Sequence, residues 1–358
     1  MEAESVSMPP ELVRGAAQRF WALVLMDHES LQAAAPAELV HRLNALLEPA
    51  LPGIAVEMDG APAAGPAGRG ARLVFTAHGE VRQFAAVQAL VDVAPAGIAW
   101  PVQAFRQRTA GGFGLRLEGF ALGSDELLVR VGSLDGRVAL ALSFARPVPP
   151  DLQAQARQMA FILLDHLLGE FDFSVKVGVV EFEADGLSDD AGFERCPATP
   201  LDDAVALVDA CWRDRLGRSA HYPAEPHRWA ALEGSAADGV PILVQVNRSA
   251  NAVAGRADLG WRIEARLPIT GEQDVEAAQA FEEAWLAAAC LHQQGLCSHV
   301  VLRSGWRGVH CYVSDVASAT QAAHAAARAL PAPESLQLQA VHEPDWSDYL
   351  SWYVACAD

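Results

Sequence analysis

The sequence predicts an α+β protein built of two α/β-sandwich domains, the C-terminal one ferredoxin-like with an added final helix. Three observations carry this. The chain has 358 residues, long for one core and comfortable for two. From Trp261 onward the apolar spacing switches between periods of two and 3.6 in the order strand, helix, strand, strand, helix, strand, the split βαβ arrangement. An earlier stretch repeats most of that order, so the N-terminal domain reads as a related unit.

In chain order, PAELVHRLNALLEPALPG reads as a helix, GIAVEMDG and ARLVFTAHG as strands, EVRQFAAVQALVDVAP as a helix and GIAWPVQAF as a strand. The segment APAAGPAGRG between the first two strands is a flexible excursion. Further strands are read in RLEGF, ELLVRVGS and RVALALSFA, then a helix in DLQAQARQMAFILLDHLLGE and a strand in DFSVKVGVVEF. These place an N-terminal domain over 1–185. Acidic residues, Pro197 and Pro200 mark 186–225 as a linker with a short helix, DDAVALVDACWRDRL. The C-terminal domain covers 226–358.

In that domain WRIEARLPI alternates as a strand, and Asp274 opens a long helix that Gly295 stops. CSHVVLRSGWRGVHCYVSD is a hairpin turning at Gly305 and Trp306. Ser314 or Asp315 caps the next helix, and SLQLQAVH is the last strand. The tail HEPDWSDYLSWYVACAD raises a choice between a ligand-gripping aromatic cluster and a docked helix. With Asp345 as cap, Trp346, Tyr349, Leu350 and Tyr353 fall at i, i+3, i+4 and i+7, the stripe of a helix docked on a core.

Composition excludes several classes of function. The net charge is −19, with −3 over residues 1–150 and −16 over the remainder, so phosphate-backbone binding is not expected; the charge reads first as serving solubility, with a basic partner protein as the other reading. The apolar run MAFILLDHLL is interrupted by Asp165 and His166, and no membrane span is expected. The start MEAESVSMPPEL lacks the basic and apolar regions of a secretory signal. Six cysteines without a paired framework or a CxxC motif read as reduced thiols in a cytoplasm. Lys176 is the sole lysine beside 25 arginines, a signature of GC-rich bacterial genomes. Oligomeric state is not legible.

The closing EPDWSDYLSWYV, with GWRIEARLPI, a long acidic helix and VVLRSGWRGVHCYVSD before it, resembles the bacterial family called domain of unknown function 695, over about residues 225–358. FWALVLMDHESL, ARLVFTAHGEVRQF and AWPVQAFRQR resemble uncharacterised bacterial proteins. The resemblance brings no catalytic residues with it.

HExxH, P-loop, GxSxG and EF-hand patterns are absent, and GGFGLRLEG is a loop rather than a dinucleotide fingerprint. Cys290, His292, Cys297, His299, His310 and Cys311 are residue types that bind zinc. With the hairpin turning at Gly305 and Trp306, however, His299 faces Tyr312, and Cys297, His299, Val301, Arg303, His310 and Tyr312 share one face. Val300, Leu302, Val309, Cys311 and Val313 occupy the helix-covered face. The ligand set is thereby split, so no metal and no cofactor is expected. The open face gathers Arg262, Arg266, His299, Arg303, His310, Tyr312, Gln337 and Gln339. It reads as a solvated sheet face, as a contact with the N-terminal domain, or as a surface for a partner protein or small anionic ligand.

The function expected from this is a non-catalytic interaction or regulatory module. The alternatives are an enzyme with its site in the interdomain cleft and an acidic inhibitor of a basic nuclease or toxin.

Overall fold

The computed structural model describes residues 10–60, 71–117, 119–235 and 239–356; the excursion APAAGPAGRG and most of the acidic start lie outside them. The protein is α+β, and its chain divides into two compact units. One comprises Met1–Arg130, Leu142–Val175 and Ala198–Val205, the other Val131–Ala141, Lys176–Pro197 and Ala206–Asp358. Residues 186–225 are thus shared between the two. Among the described residues no helix is long and apolar enough to cross a membrane.

The first unit opens with α1 (Pro10–Met26), α2 (His28–Ala33) and α3 (Pro36–Leu47), followed by β1 (Ala55–Asp59), β2 (Arg72–Thr76), α4 (Phe84–Asp92) and β3 (Val102–Ala104). One stripe of α1 buries Val13, Ala17, Phe20 and Val24, and Phe20, Trp21 and Phe75 meet edge to face with centroids 5.0 to 5.9 Å apart. β1 and β2 are antiparallel, and β3 lies parallel beside β2. A hairpin of β4 (Gly114–Leu117) and β5 (Phe120–Gly123) follows. The chain then runs through β6 (Leu127–Leu134), β7 (Arg137–Phe144), α5 (Gln153–Leu168), α6 (Glu170–Lys176), β8 (Val177–Phe182), β9 (Thr199–Pro200) and α7 (Ala204–Ala210).

Glu170, fully buried at the start of α6, accepts the backbone N–H groups of Ala77 (2.9 Å), Gly79 (3.2 Å) and Arg106 (3.4 Å). These loops leave the carboxyl ends of the parallel strands β2 and β3. There His78 and Phe105 take left-handed φ values of 52° and 62°, which the shared carboxylate holds in place. Glu170→Ala should strand three donors, that of Ala77 buried and those of Gly79 and Arg106 partly so. We expect it to lower stability by about 3 kcal/mol, read as a shift in urea midpoint at unchanged slope.

The second unit carries β10 (Trp229–Ser235), β11 (Pro241–Asn247), β12 (Trp261–Pro268), α8 (Glu272–Ala289), β13 (Gly295–Arg303), β14 (Trp306–Val313), α9 (Val316–Ala327), β15 (Gln337–His342) and α10 (Ser347–Ala355). Its six strands lie in the order β10-β11-β13-β14-β12-β15, every neighbouring pair antiparallel. The strand–helix–strand–strand–helix–strand order read from Trp261 is present. The β10–β11 hairpin, which extends the sheet beyond β13, was not read from the sequence. The echo in the first unit extends to strand direction but not to pairing. β14 and β15 run the same way with β12 between them, whereas β2 and β3 are direct neighbours.

One sheet face lies under α8 and α9. Phe281, Trp285, Ala319 and Ala323 pack on Ile263, Ala265, Val300, Val309 and Cys311, and Trp285 Nε1 donates to the Ala319 carbonyl at 3.0 Å. Asp315 caps α9 by accepting from Ala317 N at 2.9 Å. α8 ends at Ala289, earlier than its apolar pattern predicts, and His292 and Gln293 beyond it take left-handed φ values of 55° and 63°.

Candidate functional site

The site grows from one extra residue in β13. Arg303 opposes Trp306, so the hairpin turns at Ser304 and Gly305, with Gly305 at φ 85°, one residue before the predicted turn. His299 therefore opposes His310 and not Tyr312. Moving the turn by one residue changes every partner by two, so the face shared by His299, Val301, Arg303, His310 and Tyr312 is unchanged. Cys297 is different. The register shifts between Cys297 and His299, leaving Ser298 as a bulge, and Cys297 opposes Cys311. Cys297 consequently lies under the helices, which corrects its predicted place beside His299.

The opposite face is not open over this hairpin. α10 and the turns between β11 and β12 form a second core with Val244, Val246, Leu296, Val301 and Tyr312, in which Trp346, Tyr349 and Leu350 are buried. The aromatic tail is thus a docked helix. Trp346 stacks on Tyr312 with centroids 3.8 Å apart and donates from Nε1 to the Leu259 carbonyl at 2.8 Å. Tyr349 donates its hydroxyl to the Asn247 carbonyl at 3.0 Å. Asp345 does not cap α10: it pairs with Arg137, and Trp346 enters the helix at left-handed φ 55°. Glu343 does the capping work, accepting from Asp348 N at 2.6 Å.

Where this cover meets the sheet, a polar cluster is enclosed. His299 is fully buried, His310 is 6% exposed, and their rings stack with centroids 4.0 Å apart and planes 15° apart. Asp348 Oδ2 lies 3.3 Å from His299 Nε2, 3.8 Å from His310 Nδ1 and 3.2 Å from Arg262 Nη1. Arg262 also donates from Nε to Glu343 Oε2 at 2.9 Å, and Tyr312 donates to Glu343 Oε1 at 2.7 Å. Glu264, opposite His310 on β12, pairs with Arg266, whose guanidinium lies over Trp306.

The hydrogen bonds assign the protons. Ser298 Oγ donates its one proton to the His310 carbonyl at 3.1 Å, so it accepts Nδ1–H from His299 at 3.0 Å. His299 Nε2 then carries a proton toward Asp348 only as imidazolium, and that proton would bring the charges of Arg262, Glu343, Asp348 and His299 to zero. Arg262 Nη1 donates to His310 Nδ1 at 3.1 Å, which places the neutral ring's proton on Nε2. Burial, reinforced by His299 and the nearby arginines, pushes His310 well below its ordinary pKa, against the pull of Asp348. Burial raises the Asp348 carboxyl, but the His299 contact and the charges of His299, Arg262 and His310 outweigh it and hold Asp348 down to about 2. Burial and Glu343 push Tyr312 well above its ordinary value.

Among the described residues His299, His310 and Asp348 bring one ligand atom each within 4.8 Å of the others, the donor set of a two-histidine, one-carboxylate metal site. His299 Nε2, His310 Nε2 and Asp348 Oδ2 are buried without a geometrically sound hydrogen bond. The position a cation would take between Asp348 Oδ2 and His310 Nδ1 is nevertheless filled by Arg262 Nη1, at 3.2 and 3.1 Å. The proton this forces onto His310 Nε2 blocks that nitrogen as a ligand too. The chain supplies its own cation here.

Of the residues predicted for the polar face, Arg262, His299, His310 and Tyr312 come together. Arg266 sits at the margin with Glu264, and Arg303 lies at the hairpin end, apart from the cluster. Gln337 and Gln339 on β15 are exposed. Sequence reasoning missed Asp348, Glu343 and Ser298, and left Glu264, which alternates with Arg262 and Arg266 on the same face, out of the cluster. A carboxylate in the first turn of an otherwise apolar final helix was the available signal for Asp348. No family model, no curated protein and no solved structure matches this chain.

Proposed function

We propose that this protein is a non-catalytic interaction or regulatory module of the bacterial cytoplasm. In this reading the C-terminal unit is a ferredoxin-like sheet extended by the β10–β11 hairpin, related to domain of unknown function 695. The placement of Arg262 carries it. The polar groups that could have formed a reactive centre are consumed in holding α10 to the sheet: Arg262 and His299 on Asp348, and Arg262 and Tyr312 on Glu343. The same pairing argues against a small anion as ligand, because Arg262 and Arg266 already hold carboxylates. With −16 over residues 151–358, the partner class that fits is a basic protein, engaged through long-range attraction that weakens with salt.

A metal-dependent enzyme is the second reading, favoured by the three orphaned ligand atoms of His299, His310 and Asp348. Titration calorimetry with Zn²⁺ and Mn²⁺, comparing wild type with His299→Ala/His310→Ala, separates the two. Binding that is the same in both proteins supports the interaction module. Micromolar or tighter binding present in wild type and lost in the double variant would replace it with a metal centre.

A further inference from the structure

The β10–β11 hairpin ends the six-stranded sheet on an open edge, since among the described residues no strand lies beyond β10. Which backbone groups face outward follows from the register. Trp229 opposes Asn247, and one step earlier Arg248 N donates to the Arg228 carbonyl at 2.7 Å. Hydrogen-bonded and non-hydrogen-bonded pairs alternate along an antiparallel ladder, so Ala230, Leu232 and Gly234 bond to β11. The N–H and C=O groups of Trp229, Ala231, Glu233 and Ser235 therefore point away from it. Two details agree. Ser235 opposes Pro241, which has no N–H to give, and the Asn247 carbonyl, opposite Trp229, is left to accept the Tyr349 hydroxyl. All four outward residues are exposed.

Natural sheets blunt their edges with lysine, proline, a bulge or a covering element. β10, WAALEGS, has no lysine or proline, pairs with β11 without a bulge and carries a single charge, Glu233. We propose that β10 is the interface for a second copy of this chain, the two β10 strands pairing antiparallel about a two-fold axis at Leu232. The edge is complementary to itself. With Leu232 on the axis, Trp229 meets Ser235 and Ala231 meets Glu233, so every outward group finds an outward partner and like charges are not opposed. An axis at Glu233 would set the two carboxylates against each other, and one at Ala231 would leave Ser235 without a partner in β10. Leu232 opposes Val244 and packs on the core beneath α10, so its contact with its own copy carries that core from one protomer into the next.

Two copies that each carry a net charge of −19 repel, so salt, which screens that repulsion, should tighten the dimer. Capture of a basic protein has the opposite salt dependence, which separates the two associations. The opposite edge supplies a control. On β15 the Glu343 N–H donates to the Gly260 carbonyl, and the same alternation makes Leu338, Ala340 and His342 its outward residues.

The test is sedimentation equilibrium of the full chain from about 1 to 100 µM, in about 0.05 and 0.5 M sodium chloride. We expect a monomer–dimer equilibrium that moves toward dimer at the higher salt. Ala231→Pro removes an outward N–H and none that β11 uses, and should leave a monomer with the wild-type circular dichroism spectrum. Ala340→Pro should stay dimeric. Ala231→Lys and Ala231→Glu leave the backbone whole and decide the matter should the proline variant fold poorly. A lysine faces the partner's Glu233 twice per dimer and should tighten association about five-fold, and a glutamate should loosen it by a similar factor. A wild type that is monomeric throughout would overturn the proposal and leave this edge to a strand of another protein. So would a dimer that survives Ala231→Pro but not Ala340→Pro, or one that Ala231→Lys loosens.

Discussion

Replacing Arg262 by methionine is expected to lower stability by on the order of 3 kcal/mol and to turn the cluster beneath α10 into a divalent-metal site. Both effects have one cause. Arg262 Nε and Nη1 hold Glu343 at 2.9 Å and Asp348 at 3.2 Å, and without them the two carboxylates keep no cation but His299, with the Tyr312 hydroxyl and the Asp348 N–H donating to Glu343. Breaking a buried pair from one side costs more than the pair contributes, because the remaining charge stays desolvated. Methionine fills much of the arginine stem's space, so the loss reports charge rather than cavity. At the same time His310 Nδ1 loses its donor and regains a lone pair beside Asp348 Oδ2 and His299 Nε2. The check is urea unfolding with and without Zn²⁺. Arg262→Met should be destabilised in chelator and recover part of the loss in metal, while Arg262→Met/His299→Ala should not recover. A variant as stable as wild type, or one indifferent to Zn²⁺, would show that Arg262 is not the cation on which the cluster depends.

How much of this was legible follows from what each feature depends on. Alternation in WRIEARLPI and in the hairpin assigned the two faces correctly, because side-chain period alone decides which residues share a face. An error of one residue in the turn did no harm for the same reason. The bulge was invisible, since an extra residue such as Ser298 leaves no mark in a run of apolar and polar positions, yet it moved Cys297 from the histidines to Cys311. The aromatic stripe of the tail announced a docked helix, but not the surface it would choose. A sheet face rich in Arg and His reads as solvated until its countercharges are known. Those countercharges, Glu343 and Asp348, arrive on the tail itself, so burial of the face and neutralisation of its charges are a single event that spacing within the strands cannot reveal. β10 was missed because Trp229–Ser235 is alanine-rich and exposed on most positions, with little β-branched alternation; β11 does alternate, through Ile242, Val244 and Val246, but without a recognised partner strand it was passed over.

The same network should give unfolding two distinct acid limbs. In the folded protein His310 stays neutral, since burial, His299, Arg262 and Arg266 all oppose its proton while only Asp348 attracts it; Glu264 faces it from β12 but is held by Arg266. In the unfolded chain the ring takes a proton at about pH 6.5. The unfolded state therefore binds more protons below that point, and stability falls as pH falls, by up to about 1.4 kcal/mol per pH unit from this group. Asp348 acts lower. Held to about 2 against its ordinary 3.8, its carboxylate stabilises the fold fully above 3.8, and the contribution fades as pH falls toward 2. His310→Asn separates the two, because an asparagine oxygen can accept from Arg262 where Nδ1 did but cannot take a proton. The variant will be less stable than wild type at pH 8, having lost the ring stacked on His299. That gap should close by about 1.6 kcal/mol between pH 6.5 and 5, in urea unfolding curves measured at half-unit steps. A gap that stays constant over that interval would mean that His310 is protonated in the folded state, and with it that Arg262 does not donate to its Nδ1.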